Sequence, residues 1–197
     1  MSTNDYIPPE NPLKFHPAPP PLDSAVDGRE WVLEIGPGKG EFILDQAQNH
    51  PKKIFVAVEY KHKRFKKISA RIDRLELTNL FLIYGDAREC LPRMFPRNFF
   101  SSIYILFPDP WPKKRHAKHR LIKPRLAEQL KEFLQPGGAI INATDAGFYS
   151  EEIVAAFDEV GGYQKQAIAS PYPTYFEQKW IQDGRKINYW KFIKAAS

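Results

Sequence analysis

Cysteine is almost absent from this sequence, since Cys90 is the only one in 197 residues. A single thiol cannot form a disulfide within the chain, and it lacks the cysteine partners of a zinc cluster. No stretch approaches the roughly 18 apolar residues of a membrane span. The first residues, MSTNDYIPPENP, lack the basic and apolar regions of a secretory signal. We therefore expect a cytoplasmic protein with no bound metal and no membrane association.

Acidic side chains are fewer than basic ones. The chain has 29 Lys and Arg against 23 Asp and Glu, which gives a net charge of +6 and a pI near 9.3. Such an excess favours a polyanionic partner, and the distribution of the charges has to identify it. Hydrophobic residues make up 43% and charged residues 26%, which is typical of one globular domain of this length.

Proline is concentrated near the N-terminus, with seven prolines between residues 8 and 21. Because so many fixed φ angles exclude a helix or a central strand, residues 1–30 are predicted to form an extended arm. Residues 31–197 are predicted to form a single domain, because short apolar runs alternate there with amphipathic segments, as in βαβ units around a mainly parallel sheet. Strands are expected at Trp31–Ile35, Ile54–Glu59, Leu80–Tyr84, Ser102–Phe107 and Ala139–Ala143. Helices are expected at Glu41–Gln48, His62–Leu77, Leu121–Leu134 and Tyr149–Val160, followed by antiparallel edge strands within Tyr163–Ile193.

A glycine-rich turn follows the first of these strands, with glycines at positions 36, 38 and 40. Such a turn lets a nucleotide-like ligand approach the backbone at the carboxyl end of a parallel strand. The spacing differs from the G-x-G-x-x-G of dinucleotide sites, because residue 41 is Glu. Glu34 lies two residues before the turn, where its carboxylate would repel a pyrophosphate and attract an ammonium group. The pattern predicts S-adenosylmethionine as the ligand, as in the first motif of Rossmann-like methyltransferases; a turn without a ligand is the alternative.

Two more carboxylates follow the next two strands. Glu59 ends its strand about twenty residues after the turn, where an acid typically binds ribose hydroxyls. Asp86 is placed to accept a hydrogen bond from the adenine amino group, with the backbone N–H of Ala87 beside it. Taken alone, either acid is also a candidate helix N-cap. Together with Glu34, they strengthen the prediction of an adenosine-containing cofactor.

A proline-framed loop, Phe107-Pro-Asp-Pro-Trp111, leaves the fourth strand. Because prolines restrict the loop, Asp109 and Trp111 are held ready for a flat target such as a nucleobase. Trp111 either stacks on that base or only fills the loop. A basic run follows and would neutralise several phosphates of a nucleic acid, although a solvated face is the ordinary alternative. Its members are Lys113, Lys114, Arg115, His116, Lys118, His119, Arg120, Lys123 and Arg125.

At these motifs the chain resembles the tRNA (guanine-N7-)-methyltransferases, over roughly residues 31–192. Four blocks carry the resemblance: Glu34-Ile-Gly-Pro-Gly-Lys-Gly40, Phe107-Pro-Asp-Pro-Trp-Pro-Lys-Lys-Arg-His116, Ala143-Thr-Asp145 and Pro173-Thr-Tyr-Phe-Glu177. It implies a class I, Rossmann-like α/β fold with a mainly parallel seven-stranded sheet, helices on both faces and an antiparallel C-terminal edge. It also implies methyl transfer from S-adenosylmethionine to N7 of a tRNA guanine, namely the variable-loop guanine at tRNA position 46. The proline-rich arm stands where the family commonly has an Arg- and Gly-rich segment.

The resemblance also implies residue roles. Asp109 is the catalytic candidate, and it is expected to orient the base, because N7 of guanine has no proton for a general base to remove. The cofactor would contact Glu34, Gly36, Gly38, Glu59, Asp86, Ala87 and Asp109. The tRNA would contact Lys113, Arg115, His116, Lys118, His119, Arg120, Asp145, Thr174, Tyr175, Phe176 and Glu177. Asp109, Asp145 and Glu177 are alternatives for the carboxylate that reads the N1–H and amino donors of guanine.

Two other functions fit parts of the pattern. One is methylation of an exocyclic base nitrogen or a protein amide, for which an Asn- or Asp-Pro-Pro-Tyr/Phe loop is usual and the Lys-Lys-Arg-His run is not expected. The other is a catalytically silent RNA-binding module on the same fold. A monomer and a homodimer are equally compatible with the sequence.

Overall fold

The computed structural model describes residues 14–17, 28–171 and 175–196, without the side chains of Tyr175, Phe176 and Lys179. The predictions for the rest of the arm, for Thr174 and for the side chains of Tyr175 and Phe176 therefore lie outside the described part. Within it, no helix has the length and apolar character needed to cross a membrane.

One eight-stranded sheet organises the described chain, in the strand order β1-β4-β3-β2-β5-β6-β8-β7. The strands are β1 Lys14–His16, β2 Trp31–Ile35, β3 Ile54–Glu59, β4 Leu80–Tyr84, β5 Phe100–Leu106, β6 Leu134–Thr144, β7 Tyr163–Ala167 and β8 Asn188–Lys194. The helices are α1 Glu41–Asn49, α2 His62–Arg74, α3 Ala87–Met94, α4 Pro124–Phe133, α5 Gly147–Val160 and α6 Tyr175–Gln182, with a 3-10 helix at Lys114–His119. The five strands from β4 to β6 are parallel, β1 is antiparallel to β4, and β8 is antiparallel to both β6 and β7.

The predicted fold class is confirmed, with two corrections of detail. The sheet has eight strands where seven were expected, because Lys14–His16 of the arm pairs with β4 at the sheet edge. An edge position suits this strand, since Pro17 directly after it cannot donate a ladder hydrogen bond. The segment predicted as edge strands also contains α6, whose residues include neither glycine nor proline to interrupt a helix.

Alternate strand residues face two apolar layers, as the period of a β-strand requires. Leu33 and Ile35 of β2 point into the layer formed with α3, α4 and α5. Val32 of the same strand points into the layer formed with α1 and α2. Cys90 lies in the first layer and is buried, as expected of a small core residue. The helices cover both faces of the sheet, and the loops that follow the parallel strands lie together at its carboxyl edge.

Asn79, directly before β4, links three backbone carbonyls at the opposite, amino edge of the sheet, and this contact generates a stability prediction. Its side chain is 7% exposed, and its Nδ2 donates to the carbonyl oxygens of Ala47, His50 and Lys53 at 3.0, 3.2 and 3.0 Å. Asn79→Ala leaves those carbonyls without their donor, so we expect a loss of about 1–3 kcal/mol in the free energy of unfolding. Urea denaturation measures this loss.

Asn49→Ala is the matched control for that measurement. The Asn49 amide is exposed and donates only to Asp45 one turn earlier on α1, so its loss is expected to cost less than about 0.5 kcal/mol. Equal losses in the two variants would contradict the structural role of Asn79.

Candidate active site

The glycine turn after β2 has a conformation that requires glycine. Gly36, Gly38 and Gly40 have φ angles of 71°, 61° and 75°, in the left-handed region that other residues rarely adopt. A Cβ atom added at Gly38 would meet nothing within 4 Å, whereas one added at Gly40 would lie 3.1 Å from side-chain atoms of Ile68 and Leu44. Gly40 therefore lets the turn pack on the helices, and Gly38 faces open space.

Two adjoining cavities lie at this edge of the sheet. The first, of about 300 Å³, lies over the glycine turn and is bordered by Glu34, Gly38 and Glu41. The second, of about 250 Å³, extends past Asp86 and Ala87 to Trp111, Lys118 and His119. Both cavities share Gly36, Arg64, Leu106, Phe107 and Asp109 among their lining residues.

Two buried carboxylates stand beside the turn. Glu34 is 3% exposed and Glu59 is fully buried, and in each the Oε2 atom has no hydrogen-bond partner among the described residues. Burial, with the charge of Glu59 as a second cause, raises the pKa of Glu34 to about 8. Burial also raises the pKa of Glu59, against the opposing effect of the Lys61 N–H, which donates to its Oε1 at 2.7 Å. Buried carboxylate oxygens without donors are costly, so these positions suit a ligand that carries an ammonium group and hydroxyls.

Asp86 has a structural role in addition to the predicted one. Its carboxylate accepts from the backbone N–H of Arg88 at 2.8 Å, as the N-cap of α3, and forms an ion pair with the Arg88 guanidinium. The N-cap considered from the sequence is therefore present. Asp86 and Ala87 also border the second cavity, and the contact with an adenine amino group stays a prediction.

Asp109 lies in the loop between β5 and the 3-10 helix. The two aromatic residues on either side of it, Phe107 and Trp111, have φ angles of 51° and 43°, which is unusual for bulky side chains. The Asp109 side chain is 55% exposed, and its Oδ2 lies 3.5 Å from Nζ of Lys61. A strained backbone of this kind persists only where the surrounding structure holds it.

Arg120 supplies that support, a structural role that the sequence did not predict; its contact with tRNA stays a prediction. It is only 7% exposed, and its guanidinium donates to the carbonyl oxygens of Pro110 and Trp111 at 2.9 and 3.0 Å. The same group forms an ion pair with Glu152 of α5 and lies 5.0 Å from the ring centre of Phe148. Because its guanidinium donates to these protein acceptors, Arg120 holds the loop in place.

The other predicted RNA contacts within the basic run remain on the surface. Lys113, Arg115 and Lys118 are exposed. The rings of His116 and His119 pack around Trp111, with ring centres 5.8 and 5.3 Å from the indole. Desolvation, followed by the charges of Arg115 and Lys113, lowers the pKa of His116. Of these residues, Lys118 and His119 border the second cavity.

The structure does not bring Asp145 or Glu177 into either cavity. Asp145 follows β6 and forms an ion pair with Arg185 at 2.5 Å. Glu177 is 2% exposed and accepts a hydrogen bond from the Ser170 hydroxyl at 2.8 Å. Of the three carboxylates proposed to read guanine, only Asp109 faces the cavities.

Several cavity residues were not singled out by sequence reasoning, among them Glu41, Tyr60, Arg64 and Trp180. Glu41 follows the third glycine, and its buried Oε2 has no partner within the described part of the chain. Tyr60, 40% exposed, and Arg64 follow Glu59 and border the second cavity. Trp180 packs on Phe107, with ring centres 4.6 Å apart. Tyr60 could have been found from its position directly after β3, and Arg64 from its position in the first turn of the helix that follows. Nothing in the sequence near Trp180 indicates that it lies at the cavity. No cluster of His, Cys, Asp or Glu suited to a metal occurs in residues 14–17, 28–171 and 175–196.

Comparison with known proteins identifies the family. A family model described as "Putative methyltransferase" matches residues 28–189. The chain is 37% identical over 163 residues to the tRNA (guanine-N(7)-)-methyltransferase of Nitrosococcus oceani, covering 80% of this chain and 69% of that protein. This chain belongs to the tRNA (guanine-N(7)-)-methyltransferase family. A family member from Nitrosomonas europaea is 36% identical over 186 residues, covering 90% of this chain and 83% of that protein.

Solved structures show the same fold outside the family. The aminoglycoside resistance methyltransferase NpmB1 superposes with a TM-score of 0.64, covering 88% of this chain and 92% of that one at 15% identity. The predicted Rossmann-like class I methyltransferase architecture is thereby confirmed.

The raised pKa of Glu34 generates a prediction on stability. Between its ordinary pKa of 4.5 and about 8, the unfolded chain has released a proton that the folded protein retains. Stability should therefore fall as the pH rises through this window. We expect Glu34→Gln to lose less stability than the wild type between about pH 5.5 and pH 8, in urea titrations without ligand.

Glu151→Gln is the control for this pH series, because Glu151 is exposed on α5. It should follow the wild-type pH dependence. If Glu34→Gln followed it as well, the buried carboxyl would not be the source of the effect.

Proposed function

We propose that this protein transfers the methyl group of S-adenosylmethionine to N7 of a guanine in tRNA, with the variable-loop guanine at position 46 as the target. The named relatives support the activity, and one observation carries the assignment of the site. Asp109 borders both cavities, and so lies between the glycine turn with its buried acids and the basic 3-10 helix. A base held at Asp109 has a cofactor site on one side and a cationic surface on the other.

The residues around the turn fit S-adenosylmethionine. The orphaned oxygen of Glu34 suits the amino group of the cofactor, and that of Glu59 suits ribose hydroxyls. Asp86, Ala87 and the neighbouring Tyr60 border the space for the adenine. When bound, the cofactor supplies an electrophilic methyl group on a sulfonium. Glu34 binds the amino group of the cofactor as an ionised carboxylate. At a pH where Glu34 of the free protein is protonated, cofactor binding should therefore release that proton.

The protein's task at the target is to position the base. N7 carries a lone pair in the ring plane and no proton, so no residue has to act as a general base. Holding two reactants in line contributes up to about 7–11 kcal/mol in favourable cases. Asp109 accepts from N1–H and the amino group of guanine, donors that the corresponding edge of adenine lacks. The same contact therefore orients the target and selects it.

Asp109→Asn tests this role. The amide offers one acceptor oxygen and turns an NH₂ group toward the guanine donors. Losing a charge-assisted hydrogen bond of this kind costs about 1.5–3 kcal/mol, so we expect methyl transfer to fall roughly ten- to hundredfold or more. The measurement is incorporation of labelled methyl from S-adenosylmethionine into bulk tRNA, followed by nucleoside analysis.

Asp158→Asn is the matched control, since Asp158 forms an ion pair with Lys165 on the far side of the sheet. It should retain wild-type activity. A wild-type product other than 7-methylguanosine would contradict the proposed reaction, and full activity in Asp109→Asn would contradict only the role of Asp109.

Arg115 and Arg120 allow RNA binding to be separated from loop positioning. Arg115 is exposed, whereas Arg120 holds the carbonyls of Pro110 and Trp111. Arg115→Gln should flatten the log–log dependence of tRNA affinity on salt by about 0.7–0.9, the value of one phosphate contact. Arg120→Gln should leave that slope unchanged and lower the turnover at saturating tRNA. The reverse pattern would contradict both assignments.

A further inference from the structure

The solvent face of α2 carries a second set of cations, of which only Arg64 borders the cavities. At 3.6 residues per turn, Lys63, Lys67 and Arg74 share one ridge of this 13-residue helix, and all three are exposed. Lys66 flanks the ridge on one side, and Arg64 and Arg71 flank it on the other. We call these six residues the α2 ridge. The only acid of α2, Asp73, lies outside the ridge and pairs with His16 of β1 at 2.7 Å.

This arrangement weakens the helix that carries it. Lys63 and Lys67, and likewise Lys67 and Arg71, are like charges at i,i+4, each pair costing about 0.2–0.5 kcal/mol. The first turn has no acidic residue, so its cations also oppose the helix dipole. The buried stripe of Phe65, Ile68 and Ile72 holds α2 on the sheet despite this repulsion.

A face that is merely solvated usually mixes both signs of charge. On the α2 ridge, by contrast, Lys63, Lys66, Lys67 and Arg74 form no ion pair with any residue that the structure describes. The row of like charges therefore lowers the stability of the isolated helix, and a bound polyanion would relieve this repulsion.

The position of the ridge identifies the polyanion. Lys61, which caps α2, lies 3.5 Å from Asp109, and Arg64 borders both cavities. From that end the ridge runs for about 20 Å away from the cavity rim. In the sheet, β3 and β5 lie on opposite sides of β2. The helix after β3 and the basic 3-10 helix after β5 therefore flank the same pocket from two sides.

We infer that the α2 ridge binds a stretch of the tRNA sugar–phosphate backbone, on the side of the target base opposite the 3-10 helix. This inference rests on the proposed function, because its occupant is the same tRNA. Two cationic surfaces on either side of Asp109 hold the RNA on both sides of the base, which fixes the base over the pocket more firmly than one surface would.

The test is a salt series of tRNA binding for the wild type and for Lys63→Gln/Lys67→Gln. If both lysines meet phosphates, the log–log slope should flatten by about 1.4–1.8, and affinity near physiological salt should fall about tenfold. Affinity for S-adenosylmethionine, measured by calorimetry, should stay unchanged. The melting temperature should be equal or higher, because like-charge pairs have been removed, and this guards against loss of fold.

Arg97→Gln/Lys165→Gln is the control for charge removal alone. It removes two cations that are already paired with Glu132 and Asp158, away from the carboxyl edge. Its slope should match the wild type. An unchanged slope in the α2 variant would overturn the inference while leaving the proposed function standing. A wild type that neither binds nor methylates tRNA would overturn the proposed function itself.

Discussion

The parallel pairing of β2 with β3 and β5 is the constraint on which the site depends. Its register sets Glu34 opposite Ala57 on one side and Tyr104 on the other. Parallel strands end at the same edge, so the turns after them converge although they are far apart in the chain. The glycine turn, Asp86 and Asp109 border the two adjoining cavities for this reason, and Glu59 is buried beside the turn. The helices that connect the strands occupy both faces and keep this edge open.

At that edge, several features are energetically unfavourable in the protein without a ligand. Glu34 and Glu59 are buried with an oxygen each that the described chain leaves without a donor. Phe107 and Trp111 hold left-handed backbone conformations, and α2 carries a row of like charges. Each of these costs free energy in the unliganded protein. Several of these costs therefore fall at the carboxyl edge, where the two cavities lie.

The features that could be predicted from the sequence are those that depend on a short contiguous pattern of residues. The bounds of β2, β3 and β4 agree with the structure because short apolar runs end at glycine, polar or charged residues. The glycine turn and Asp109 were found because their motifs are contiguous. The structural role of Arg120 was not predicted, since in the chain it looks like one of several surface cations. Its burial is decided by Glu152, 32 residues later, and by a loop whose carbonyls turn toward it.

The positions of Asp145 and Glu177 could not be predicted from the sequence either, because they too depend on contacts with residues outside the local motif. Their partners, Arg185 and Ser170, come from the return of the chain through α6 and β8. No spacing of residues in the sequence predicts these contacts. Of the three carboxylates that the sequence left equivalent, tertiary packing therefore places only Asp109 at the two cavities.

The short strand β1 has a consequence for self-association. An exposed sheet edge offers unpaired backbone groups to which another chain can add. In the part of the arm that the structure describes, β1 covers the edge of β4 with Lys14–His16, and Pro17 directly after it cannot donate a ladder hydrogen bond to an incoming strand. At the opposite edge, β7 presents exposed Gln164, Lys165 and Gln166, a polar border that disfavours edge-to-edge pairing with another sheet.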